Sequence, residues 1–140
     1  MTTPSTGDPA PTGYTPHPAD VAGVLAWFDN FDALAVARDV EAMADQAMFP
    51  LNEVSDGKAE SYDRARYIAQ MTSELGGSDQ VDMVSVRTPT FLNENLVFVV
   101  TDATITMGDI SRQVRYGDLL VKCAGTWKFQ TMVQGGWTDF

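Results

Sequence analysis

Residues 95–134, NLVFVVTDATITMGDISRQVRYGDLLVKCAGTWKFQTMVQ, decide the fold. Their texture is β-branched and aromatic, and it is broken by the turn signals Gly108-Asp109 and Ala124-Gly125. Side chains that branch at Cβ or carry a ring suit a pleated, half-buried surface better than a helix. The spacing predicts strands over about 95–108, 110–123 and 126–134, with a further one over about 80–91 ahead of Asn93-Glu94-Asn95. Connectors this short leave no room for a crossover, so consecutive strands pair antiparallel.

Several of these strands are apolar on both faces. Leu96, Phe98 and Val100 alternate with Val97, Val99, Ala103 and Ile105. In the last strand Trp127, Phe129 and Val133 alternate with Met132, Gln130 and Gln134. A sheet covered by helices on one side needs only one apolar face, so the second must meet something else. A symmetric partner gives a homodimer through the sheet; a curved sheet closing on itself is the other solution.

Upstream the period changes. Val21, Val24, Leu25, Phe28, Phe31 and Ala35 form a stripe at helical spacing, widened by Trp27 and Leu34. This helix opens near Pro18 and ends near Arg38-Asp39. A second helix runs over about 40–48, because Phe49-Pro50 disfavours its continuation. A short strand over about 51–55 is closed by Asp56-Gly57. Ser61 N-caps a third helix that buries Ala65, Ile68, Met71, Thr72 and Leu75 and ends at Gly76-Gly77. Tyr62 and Tyr67 fall on different sides of that helix, and Tyr62 fits its inward face better. The fold class is α+β: three N-terminal helices packed on a curved antiparallel sheet. Residues 1–17 hold four prolines, five threonines and one aromatic, a composition that reads as a flexible tail before a domain over 18–140. Past the last strand, Gly135-Gly136 leads to Trp137, which caps the edge of the core or, alternatively, folds back as a lid or seals the dimer edge.

A chain of 140 residues fits one domain. Its net charge of −10 repels phosphate backbones and anionic lipid, which argues against nucleic acid and membrane partners. No apolar run is long enough to span a bilayer, and the N-terminus has no secretory pattern. Cys123 has no second cysteine to pair with, and the expected compartment is the cytoplasm. The lone histidine, His17, lies in the tail, so no histidine-based triad or metal site can form in the core. Asp29 and Asp32 on the first helix have a spacing that could suit Mg²⁺, but a solvated helix face explains them more simply.

The order of helix, helix, strand, helix and a four-strand meander resembles the SnoaL-like, nuclear-transport-factor-like superfamily, which includes ketosteroid isomerase and polyketide cyclases. The resemblance covers about 18–137 and is carried by motifs rather than composition. They are Arg38-Asp39-Val40-Glu41-Ala42-Met43, Phe49-Pro50-Leu51, Ser61-Tyr62-Asp63-Arg64, Val114 to Lys122 (VRYGDLLVK), and Gly125-Thr126-Trp127-Lys128-Phe129. It implies a cone-shaped, barrel-like domain with a pocket between the concave sheet face and the helices, and dimers through the sheet. It places Asp118 where ketosteroid isomerases carry the acid of their oxyanion hole. The family's tyrosine falls on Phe31 and its general base on Phe49, so the resemblance does not extend to steroid isomerisation.

Asp118 is the leading candidate for chemistry on its own residues too. It shares a strand face with Val114, Tyr116 and Leu120, and a carboxyl among apolar neighbours tends to keep its proton. Asp102 ends the run Leu96-Phe98-Val100 and could pair with Asp118 if neighbouring strands bring them together. The candidate lining is Trp27, Phe31, Tyr62, Met71, Tyr116 and Trp127, with Asn52 and Gln130 orienting a ligand. The expected partner is a small hydrophobic molecule, bound or transformed without metal or cofactor. The chemistry would be that of an isomerase, cyclase or lyase; a non-catalytic sensing or assembly module is the alternative.

Overall fold

The computed structural model describes residues 14–76 and 82–135; the tail before Tyr14 and the expected cap Trp137 lie outside them. Helix α1 spans Pro18–Val36, α2 Val40–Asp45 and α3 Arg64–Leu75. The strands are β1 Ala47–Ser55, β2 Lys58–Tyr62, β3 Asp82–Asn93, β4 Leu96–Met107, β5 Ile110–Cys123 and β6 Thr126–Gln134. They form one six-stranded sheet in the order β2-β1-β6-β5-β4-β3, with helices packed on one face, an α+β fold. Among the described residues β2 and β3 are the outer strands and do not pair with each other, so the sheet does not close on itself.

Strands β3 to β6 form the expected antiparallel meander. The sheet as a whole is mixed, however, because β1 pairs with β6 in parallel. Short connectors dictate antiparallel pairing only between sequence neighbours, and β1 and β6 are separated by most of the chain. Asp56-Gly57 does not close a lone strand but turns β1 into the antiparallel β2, with Gly57 at φ +77°. Strand β2, Lys-Ala-Glu-Ser-Tyr, buries only Tyr62 and so gives no alternating apolar signal.

Two local expectations are corrected. The second helix stops at Asp45, and Phe49-Pro50 lies inside β1 rather than after a helix. Pro50 has no N–H for the ladder, and the β1–β6 register shifts between Ala47 and Asn52. Next, α3 is capped by Asp63, whose carboxylate accepts from the Arg66 N–H at 2.8 Å; Ser61 and Tyr62 belong to β2. Tyr67 is therefore the tyrosine that α3 drives into the core. Just before α1, the Tyr14 ring meets Phe91 at 6.0 Å, and its hydroxyl donates to Asp20 at 2.9 Å.

The core joins Val24 and Phe28 of α1, Met43 of α2, Leu51 of β1, Tyr67 of α3, and Val97, Val99, Leu120 and Phe129 of the meander. Trp27 and Phe31 stack at 5.3 Å, and Phe129 meets Phe31, Trp27 and Tyr67 at 5.1, 5.8 and 6.0 Å. A bulge at Gln130 keeps Phe129 and Met132 in one phase, opposite Leu120 and Asp118. Without it, strict alternation would place them on opposite faces. Among the described residues no helix is long and apolar enough to cross a membrane.

Candidate functional site

The chemistry collects on the concave face of the meander, where strand register sets out a row of polar groups. Arg87 of β3 lies opposite Thr101 of β4, and Thr101 lies opposite Tyr116 of β5. Asp118, two residues on, shares their face and lies between Val99 of β4 and Met132 of β6. Helix α1 adds Asp32. The Arg87 guanidinium grips that carboxylate with two bonds of 2.6 and 3.1 Å, donates to the Thr101 hydroxyl at 3.2 Å, and stacks on Phe28 at 4.5 Å. It also reaches the Tyr116 hydroxyl at 3.4 Å. A bidentate arginine–carboxylate pair is directional, so it ties α1 to the β3 edge at one defined point.

Asp118 is 8% exposed, and among the described residues its carboxyl makes no hydrogen bond with another side chain or the backbone. Burial pushes it up to about 7; Arg87 opposes the rise and Asp32 adds to it. Removing a carboxylate from water penalises its charged form, and the cation that acts on it, Arg87, is already engaged by Asp32. Burial also raises the hydroxyls of Tyr116 and Tyr67, the latter with help from Glu74 and Asp118. Burial works against the charge of Arg87, but its bonds to Asp32 outweigh that and hold it firmly protonated. The face thus presents an acid that titrates at about 7, a phenol and a committed cation. Among the described residues no three His, Cys, Asp or Glu side chains gather closely enough to hold a metal ion.

The other predicted residues are dispersed. Asp102 is on the opposite face: β4 and β5 are neighbours, but register sets Asp102 against Arg115, which it pairs with at 3.2 Å in the open. It cannot join Asp118, because adjacent strands share a face only at matched positions. Asn52 accepts from the Ser61 hydroxyl at 2.7 Å, in register with it on the β2 side. Tyr62 is buried at that same end, its hydroxyl donating to Glu53 at 2.9 Å and its ring under Arg66. Gln130, at the bulge, donates to the Pro50 carbonyl at 3.0 Å. Trp27, Phe31, Met71 and Trp127 are half-buried against the core, with the Trp27 indole donating to the Trp127 carbonyl at 3.1 Å. Arg87 and Thr101 were not among the candidates, and Asp32, read with Asp29 as a solvated helix face, is instead bound by Arg87. The available signal was a basic residue in phase with Phe91 on a strand of the meander.

Two clefts open elsewhere. One of about 230 Å³ lies on the outer sheet face, between Phe98, Val100, Gly117 and Val133. Phe98 lies over Gly117 so closely that a methyl group there would sit 2.3 Å from its ring. The other, of about 510 Å³, lies where Arg38, Asp39 and Glu41 face Ile68, Thr72 and Leu75. Neither is lined by Asp118, so the hollow expected before that acid is not one of these openings.

No protein-family profile matches the sequence, and no curated protein does either. Solved structures do match. Aln2 from a Streptomyces species superposes with a TM-score of 0.73 at 15% identity, covering 86% of this chain and 92% of that one. A candidate calcium/calmodulin-dependent protein kinase II association domain from Xanthomonas campestris gives 0.70 at 18% identity, covering 90% and 95%. A candidate dehydratase of the NTF2-like family from Streptomyces avermitilis gives 0.70 at 12% identity, covering 84% and 95%. At such identities likeness concerns shape rather than chemistry, and the shape is the one the motifs implied: this chain has the SnoaL-like, NTF2-like fold.

Proposed function

We propose that this domain binds a small, mostly apolar molecule between the concave sheet face and α1, and that protonated Asp118 gives its polar atom a hydrogen bond or a proton. The observation that carries this reading is a buried carboxyl with no hydrogen-bond partner among the described residues. Such a group costs stability, and chains tend to keep such groups where function uses them. An acid poised near neutrality can give up its proton and take it back, which suits a cofactor-independent isomerase, cyclase or lyase. Phe31 and Phe49 supply neither a phenol nor a carboxylate, which argues against steroid isomerisation. The likeness to a candidate dehydratase supports small-molecule chemistry.

The test uses two variants against a panel of flat apolar ketones, phenols and alcohols, with binding read by thermal shift and turnover by mass change. Asp118→Leu lowers affinity about tenfold, the worth of one buried hydrogen bond. Asp118→Asn keeps a donor but no transferable proton, so binding persists and turnover stops. Wild-type binding and turnover in both variants would remove Asp118 from the site.

A second reading rests on the outer face. There Val84 and Val86 are 74% and 66% exposed, beside the groove at Phe98 and Val133. We assign this face to a second copy of the chain, a homodimer through the sheet, and the candidate association domain supports assembly as a use of the fold. Sedimentation at micromolar concentration gives a dimer on this reading; a monomer contradicts it.

A further inference from the structure

We infer that Arg87 is a shared latch: it holds α1 through Asp32 while Asp118 keeps its proton, and it turns to Asp118 when that proton leaves, freeing the α1 side of the site. This rests on the reading of Asp118 as the proton-carrying group of the concave face. Three observations carry it. Arg87 is the cation that acts on both carboxylates: it bonds Asp32 directly, and its field reaches Asp118. By register, Arg87 and Asp118 stand two strands and two residues apart, roughly 12 Å between Cα atoms, which the two side chains together can span. The two carboxylates also differ in access to water. The Asp32 side chain is 35% exposed, whereas the Asp118 residue is 8% exposed.

That difference sets the direction. With Asp118 neutral, Arg87 has one anion to satisfy and takes Asp32. Once both are charged, one must do without the guanidinium. Water can solvate Asp32 in its place but cannot reach Asp118, so the lower-energy arrangement gives Arg87 to the buried anion. The remaining surroundings do not compete. Beside Asp118, Val99 of β4 and Met132 of β6 carry no charge. Tyr116 of β5 and Tyr67 of α3 have hydroxyls raised by burial and stay neutral. Thr101 and Phe28 meet the arginine without charge. What α1 loses is its bidentate tie to β3, near the C-terminal half of the helix.

The experiment is amide hydrogen exchange, corrected for intrinsic pH dependence, on the whole chain at pH 5.5 and 8.5. Protection of the α1 amides around Asp32 falls about tenfold at the higher pH in the wild type, relative to β4 and β5. In Asp118→Asn it stays high at both values. In Asp32→Asn, which removes the tie, it is low at both. Wild-type α1 protection that ignores pH, or an Asp32→Asn chain that still responds, overturns the latch. A parallel carboxyl titration separates causes. Asp118 ionising near neutrality without α1 following overturns the latch alone; Asp118 ionised throughout overturns the site reading with it.

Discussion

Asp32–Arg87 and Asp102–Arg115 are the same kind of ion pair on opposite faces of one sheet. The first is bidentate and joins two elements far apart in sequence, with an arginine side chain only 8% exposed. The second links cross-strand neighbours whose side chains are 73% and 55% exposed. A pair in water gains little, because solvent screens the attraction and both side chains lose freedom. In the pair under the helix the arginine is the buried member, so losing Asp32 strands it, whereas the partly exposed Asp32 can turn to water. Strand alternation alone, one residue to the next, therefore sorts identical chemistry into an anchor and an ornament.

Substitutions can break or sharpen that contrast. The largest effect is expected at Asp32: Asp32→Ala strands the buried Arg87 and costs about 3–5 kcal/mol in urea unfolding, while Arg115→Ala stays within about 1 kcal/mol. Equal losses would erase the distinction. Next comes Asp118→Asn. Its carboxyl ionises near 3.8 in the unfolded chain and near 7 in the folded one. Its ionisation therefore costs the fold nothing below about pH 3.8, and stability falls as pH rises from there to about 7. Relative to wild type, Asp118→Asn is neutral at pH 4 and gains about 2–4 kcal/mol at pH 8. A gain that does not vary with pH would contradict this. On the outer face, Gly117→Ala drives a methyl group into the Phe98 ring and costs about 1–3 kcal/mol, read as a lower melting temperature. Asp102→Asn is the smallest, within about 0.5 kcal/mol at any pH between 5 and 8.

The meander was legible because each of its strands carries its own signal. Runs of β-branched and aromatic residues end at the turn signals Asn93-Glu94-Asn95, Gly108-Asp109 and Ala124-Gly125, and the predicted spans match β3 to β6 to within two residues. Asp118 was legible for the same reason, since its phase with Val114, Tyr116 and Leu120 is a property of one strand. What depends on two strands was not. Whether Asp102 meets Asp118 is settled by the β4–β5 register, and the partner of β1 by a parallel contact across the chain. Strand β2 gave no pattern because it is polar on both faces but for Tyr62. The Arg87–Asp32 pair joins residues 55 positions apart, and Asp32 alone looks like any acid on a solvated helix face.

The charge state of one carboxyl bears most directly on the site, the latch and the pH-dependent stability together. Carboxyl-carbon NMR of the folded protein, with Asp118→Asn to assign the signal, follows the Asp118 resonance from pH 3 to 9. The expected midpoint is near 7. A midpoint near 3.8 would mean that Asp118 is an ordinary solvated acid, and that no proton waits on the concave face.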